Sequence, residues 1–209
     1  MNAAIHKLRS LEERGPAGDP APGLRDPRAV ANYFIGKFMA NRPPSPQQER
    51  VTPLSLQKLV FIAHALSLLD LGKPLLSEQP RIGDYDPYFP TLREALDYFG
   101  GSTVSRLITE GSGEDVFDPK PDAEVVRAEF DTDERDILDA VWKMFREVRF
   151  DCTKLTYLTG GSRTEFVDMK KKFGLGNEIP DGYIIEITSK RLWNSNPPSD
   201  HNNNGKRAA

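Results

Sequence analysis

Apolar positions along this chain fall into helical steps separated by proline- and glycine-rich breaks. The clearest run opens Thr52-Pro53-Leu54-Ser55-Leu56-Gln57-Lys58-Leu59-Val60-Phe61-Ile62-Ala63-His64-Ala65. Thr52 is suited to accept from the free amides of a first turn, and Pro53 has no amide to satisfy there, so a helix is predicted from Pro53. Leu56, Leu59, Val60, Ala63 and Leu66 form one stripe at a 3.6-residue period, while Phe61, Ile62, Leu68 and Leu69 fall outside it. A helix apolar on more than one side belongs at the centre of a core. Gly72 and Pro74 end it near Asp70.

The flanking elements read in the same way. Asp26 caps a helix with Pro27 at its first position, and Val30, Phe34, Ile35 and Phe38 face inward from it. Asn41 to Arg50, with Pro43, Pro44 and Pro46, is an exposed loop. Leu75 to Pro90 is expected to be extended and turn-rich. Thr91 is then read as the cap of a third helix, with Leu92, Leu96 and Phe99 inward and Gly100-Gly101 closing it. Val125, Val126, Ala128 and Phe130 suggest a short strand within Ala123 to Phe130, and a helix beginning near Asp131 carries Ile137, Leu138, Val141, Trp142 and Phe145 at helical spacing. Leu155 to Leu158 reads as an apolar turn before Gly160-Gly161. Ser162 with Glu165 forms a capping-box signal for a helix to Phe173. Tyr183 to Ile187 allows a strand or a final helix, with Pro180-Asp181 favouring the helix.

These elements predict a mainly α (α+β) fold: a helical domain around one central buried helix, with a small β element near Ile82 or Val125. The domain spans 27–193. Residues 1–26, rich in charge, proline and glycine, are expected to be a disordered arm. Within them Ile5, Leu8 and Leu11 share one face of a helix too short to be stable alone. Residues 194–209, rich in Asn and Pro, are expected to be a disordered tail.

Composition narrows the function classes. Hydrophobic residues are 38% of the 209, charged residues 28%, and the net charge is -3, which gives no global attraction to nucleic acid or an anionic membrane. The single cysteine, Cys152, excludes an internal disulfide framework and a cysteine-based zinc cage, so a reducing, cytoplasmic setting is expected. No apolar run is read as approaching the roughly 20 residues of a membrane span, and the N-terminus lacks the apolar core of a secretory signal. Glu110 to Asp139 holds twelve acidic residues against three basic ones, a local net of 3 - 12 = -9. Trp142 to Lys172 holds eight basic against four acidic, a net of 8 - 4 = +4.

Candidate chemistry is sparse. His64 and Cys152, with Asp70 or Asp151 as orienting carboxylate, are the pair that nucleophilic catalysis would need, but neither lies in a nucleophile turn. A structural histidine and an inert thiol are expected, with no catalytic residue. No His-x-x-x-His or paired-cysteine spacing occurs, so no metal site is expected. Gly174-Leu175-Gly176-Asn177 lacks the third glycine and following lysine of a phosphate loop, so no cofactor is expected. Lys170, Lys171 and Lys172 with Arg163 and Arg149 are the candidate basic patch for DNA. Tyr85, Tyr88 and Phe89, held between Pro87 and Pro90, suit a protein-binding surface, because rigid aromatics dominate interface energetics. The acidic stretch is a second surface for a basic partner.

The wording Val30-Ala31-Asn32-Tyr33-Phe34-Ile35, then Thr52-Pro53-Leu54 with Leu56-Gln57-Lys58-Leu59, then Gly72-Lys73-Pro74-Leu75, resembles the Panacea antitoxin-domain family, which includes the SocA-like antitoxins. The resemblance runs over roughly Ala29 to Ile187. The family's next segment carries an aromatic, then Gly-Pro-Val and a further proline. Here Pro87 and Pro90 match, Asp86 stands at the glycine position and Gly83 at the aromatic one. The resemblance implies a non-enzymatic antitoxin that binds a cognate toxin encoded by the adjacent gene; the aromatic segment then makes Tyr85, Asp86, Tyr88 and Phe89 the toxin-binding candidates. It also implies a role as adaptor to a cytosolic protease, for which Lys206-Arg207-Ala208-Ala209 resembles an engaged tail. The alternative is a DNA-binding autoregulator of a toxin-antitoxin or phage-derived operon.

Overall fold

A computed structural model describes residues 23–41, 50–111, 123–159 and 163–195. Most of the arm and tail expected over 1–26 and 194–209 lies outside them, as do the greater part of the Asn41–Arg50 loop and the Ser162 cap. Among the described residues there are seven α-helices and one two-stranded sheet, so the fold is mainly helical. The helices are α1 (Pro27–Ala40), α2 (Pro53–Leu66), α3 (Pro90–Leu96), α4 (Thr132–Glu147), α5 (Cys152–Thr159), α6 (Arg163–Phe173) and α7 (Asp181–Ser195). The strands are β1 (Arg81–Ile82) and β2 (Pro87–Tyr88).

α2 is the centre. Thr52 Oγ1 accepts from the Ser55 amide at 3.2 Å, and Ser55 Oγ accepts from the Thr52 amide at 2.7 Å, a reciprocal cap that fixes where the helix starts. Every residue from Ser55 to Leu66 is buried, because α1, α3, α4, α5, α7 and β2 all pack on it. The helix runs on through a π-helical turn, Ser67–Leu71, and stops at Gly72, whose φ of 65° lies in the left-handed region. Taken together, Pro53–Leu71 is long and apolar enough to cross a membrane by composition, contrary to the expectation from the sequence. The neighbouring elements supply the apolar surroundings instead: 78% of that window is buried inside the protein.

Asp26 caps α1 by accepting from the Arg28 amide at 2.7 Å. Just before it, Arg25 is buried and donates to Glu134 Oε2 at 3.0 Å, while its backbone pairs with Leu75 and Ser77. Glu134 also completes the Asp131 capping box of α4.

Three local expectations are corrected and two others are resolved. α3 starts at Pro90 rather than after Thr91, since proline takes the first position and the Thr91 hydroxyl donates to Glu78 at 2.7 Å. Phe99, expected to face inward, packs against the core and is partly buried, from the 3₁₀ turn Asp97–Phe99 rather than from the α-helix itself. Ala123–Phe130 is extended but meets the chain near Thr109 through an isolated bridge to Val125, so the β element forms only near Ile82. The segment around Leu155–Leu158 belongs to helix α5, not to a turn. Tyr183–Ile187 takes the helical option, within α7.

Candidate functional site

The Leu75–Pro90 segment folds into a hairpin against α2. Arg81 lies opposite Tyr88 and Ile82 opposite Pro87. The turn is closed by the Gly83 amide donating to the Asp86 carbonyl at 3.2 Å. Glycine is required there, because a Cβ at Gly83 would sit 2.5 Å from that same oxygen. On its other side β1 is held by the 174–179 turn: the Ile82 amide donates to the Asn177 carbonyl at 2.9 Å, and the Gly176 amide to the Ile82 carbonyl at 2.8 Å. The Gly174-Leu175-Gly176-Asn177 sequence is therefore a backbone clamp on β1, with Gly174 and Gly176 both at positive φ.

Two polar residues of α2 anchor the hairpin from below. Gln57 accepts from the Phe89 amide at 2.9 Å and donates to its carbonyl at 3.4 Å, as a neighbouring strand would. Lys58, 2% exposed, donates to Asp86 Oδ1 at 3.0 Å and to Thr156 Oγ1 at 2.6 Å. A buried ammonium needs such partners, since desolvation without them costs several kcal/mol. Lys170 of α6 reaches the hairpin from outside and donates to the Asp84 carbonyl.

This geometry divides the four toxin-binding candidates. Phe89 is fully buried and edges onto His64, with ring centroids 6.4 Å apart. Asp86 turns inward to Lys58. Tyr85, at the hairpin tip, is 86% exposed. Tyr88 is half-buried, with the Arg93 guanidinium 4.9 Å above its ring. Beside them a cleft of about 380 Å³ opens between the start of α2, the hairpin and the end of α3. Its walls include Leu54, Leu96 and Asp97, which sequence reasoning missed because Leu54 and the Leu96-Asp97 pair come from stretches far apart in the chain.

The catalytic arrangement considered from sequence does not assemble. His64 Nε2 meets Asp181 Oδ1 of α7 at 3.2 Å, not Asp70 or Asp151, and its Nδ1 has no hydrogen-bond partner. Burial lowers the His64 pKa, against the opposing pull of Asp181. Cys152 opens α5, and burial raises its thiol pKa, with the charge of Lys58 working the other way. No hydrogen bond therefore links the histidine to the thiol. Among the described residues no group of three or more His, Cys, Asp or Glu side chains could hold a metal.

The lysines of the candidate DNA patch are engaged locally. Lys172 lies 4.4 Å from the Tyr183 ring, Lys170 is bound to the hairpin, and Lys171 is 4.0 Å from Asp168.

Residues 56–159 match the family model described as Antitoxin SocA-like, Panacea domain. No curated protein and no solved structure matches the chain. The matched span begins in α2 and includes the hairpin, the cleft-forming end of α3, and Lys58, Asp86 and Thr156.

Proposed function

The chain belongs to the SocA-like antitoxin family through its Panacea domain, and from that premise we propose that it neutralises a toxin protein by binding it directly. Mechanism is occlusion: the antitoxin covers the toxin's working surface and makes or breaks no bond. The observation that carries this reading, beyond the family, is Tyr85, a large aromatic held in the open on a hairpin anchored by Gln57, Lys58 and Lys170. An exposed ring on a rigid support loses little entropy when a partner covers it.

The test is co-expression with the protein encoded by the adjacent gene. That neighbour alone should stop growth, and this chain should restore growth and co-purify with it. A harmless neighbour that never co-purifies would sink the reading.

The same proposal includes delivery of the toxin to a cytosolic protease. Lys206–Ala209, expected to engage it, lies outside the described residues. A chain ending at Gly205 should lengthen the toxin's half-life in a pulse-chase experiment, and unchanged half-lives would remove this part. Of the lysines that the operator-binding alternative would use, Lys170 and Lys172 have partners within the domain, whereas Lys171, 4.0 Å from Asp168, remains open to solvent.

A further inference from the structure

The cleft beside Tyr85 has a charge pattern that selects among occupants. Of its lining residues, Asp84, Asp86 and Asp97 are acidic and Arg93 is basic. Asp86 is neutralised from within by Lys58 at 3.0 Å. Arg93 could pair with Asp97, four residues further along the α3 face, but lies over the Tyr88 ring instead. The Asp97 carboxylate is thus left at the cleft wall with no ion pair among the described residues. Asp84 stands at the rim, where Lys170 is bound to its carbonyl rather than to its carboxylate.

Asp97 is also badly placed for stability. It sits in the last turn of the helical segment that ends at Gly100, where the carbonyl end of the helix repels negative charge. A carboxylate in that position, lining a cleft that also offers the exposed Leu54 and the exposed ring of Tyr85, is matched by a cation with an apolar stem.

We propose that this cleft receives an arginine or lysine side chain of the toxin, its stem against the exposed Leu54, its charged head between the Tyr85 face and the Asp97 carboxylate. Arginine fits better than lysine, because its flat guanidinium stacks on an aromatic ring and hydrogen-bonds a carboxylate in the same pose. The inference rests on the proposed antitoxin role and adds to it the chemistry of the contact.

The experiment measures affinity between the purified full chain and the neighbour-encoded protein, for wild type and for Tyr85→Ala, Tyr85→Phe, Asp97→Asn and Asp97→Lys, with thermal melts of each variant. Tyr85→Ala and Asp97→Asn are expected to weaken binding about tenfold, Asp97→Lys by more, and Tyr85→Phe by little, as fits a stacked and charge-paired hot spot. Asp97→Lys should melt no lower than wild type, since it places a cation at a helix end that favours one. A merely structural Asp97 would lose stability with binding, so that result overturns the proposal. Wild-type affinity in both Tyr85→Ala and Asp97→Lys overturns it as well, while leaving the antitoxin reading intact. If wild type itself binds nothing, the antitoxin reading with this partner fails first, and the inference falls with it.

Discussion

At the scale of single residues, the hairpin depends on two residues that work as a pair. Gly83 permits the close turn onto the Asp86 carbonyl, and Asp86 supplies the carboxylate for buried Lys58. Asp86→Gly should therefore destabilise this chain by about 3 kcal/mol, because it removes the counter-ion of a buried ammonium and leaves Lys58 only its bond to Thr156. Gly83→Ala should cost about 1–3 kcal/mol through the clash with the Asp86 oxygen. Urea unfolding measures both; a change below about 0.5 kcal/mol in either would show that the hairpin can rearrange. The sequence made Tyr85 and Tyr88 visible as surface candidates, since aromatics between prolines are conspicuous. It could not separate them from Phe89 and Asp86, because which of four adjacent side chains turns inward is decided by Gln57 and Lys58, some thirty residues earlier.

At the scale of elements, polar side chains on buried helices hold the irregular segments in place. Asn32 of α1 donates to the Ile108 and Val126 carbonyls, each at 2.8 Å, and accepts from the Ile108 amide at 2.7 Å. It thereby joins two extended stretches that make almost no ladder of their own. Asn32→Leu should leave the Ile108 amide and the Val126 carbonyl without Asn32, while the Ile108 carbonyl keeps the Val126 amide, and should cost about 2–4 kcal/mol, given the penalty for each buried group left unsatisfied. Hydrogen exchange at the Ile108 amide should accelerate in the same variant, and unchanged protection there would contradict this role for Asn32. The helices were legible wherever a cap residue preceded a periodic run, as at Asp26, Thr52 and Asp131. α5 was not: eight residues with few apolar positions carry no clear period, and packing against α2 makes the helix. Val125 and Phe130 have strand propensity, yet pairing with the stretch near Thr109 stops at one isolated bridge, beyond which the Asn32 side chain holds the Val126 carbonyl.

At the scale of the whole molecule, the His64–Asp181 contact ties the start of α7 to the central helix and makes stability depend on pH. Burial lowers the folded-state pKa of His64 below its ordinary value of 6.5, so the unfolded chain binds the proton more readily. The contribution is fully present above pH 6.5 and is lost as pH falls from there through the lowered folded value. Wild type should melt at progressively lower temperature from pH 7 to about 5, more steeply than His64→Leu, which has no group titrating there. Parallel curves for the two proteins would assign the effect elsewhere.

The order in which the chain is made gives the buried central helix another consequence. Synthesis completes α2 and its π-helical turn at Leu71, whereas the start of α7, which helps to cover them, lies at Asp181. At about 5–20 residues per second, that separation corresponds to roughly 5–20 s for each new molecule. During that interval a nineteen-residue apolar helix is incompletely enclosed, open to chaperones and to degradation. The yield of folded protein thus depends on events at the ribosome as well as on the finished fold, and any slowing of translation between these two helices lengthens the period of exposure.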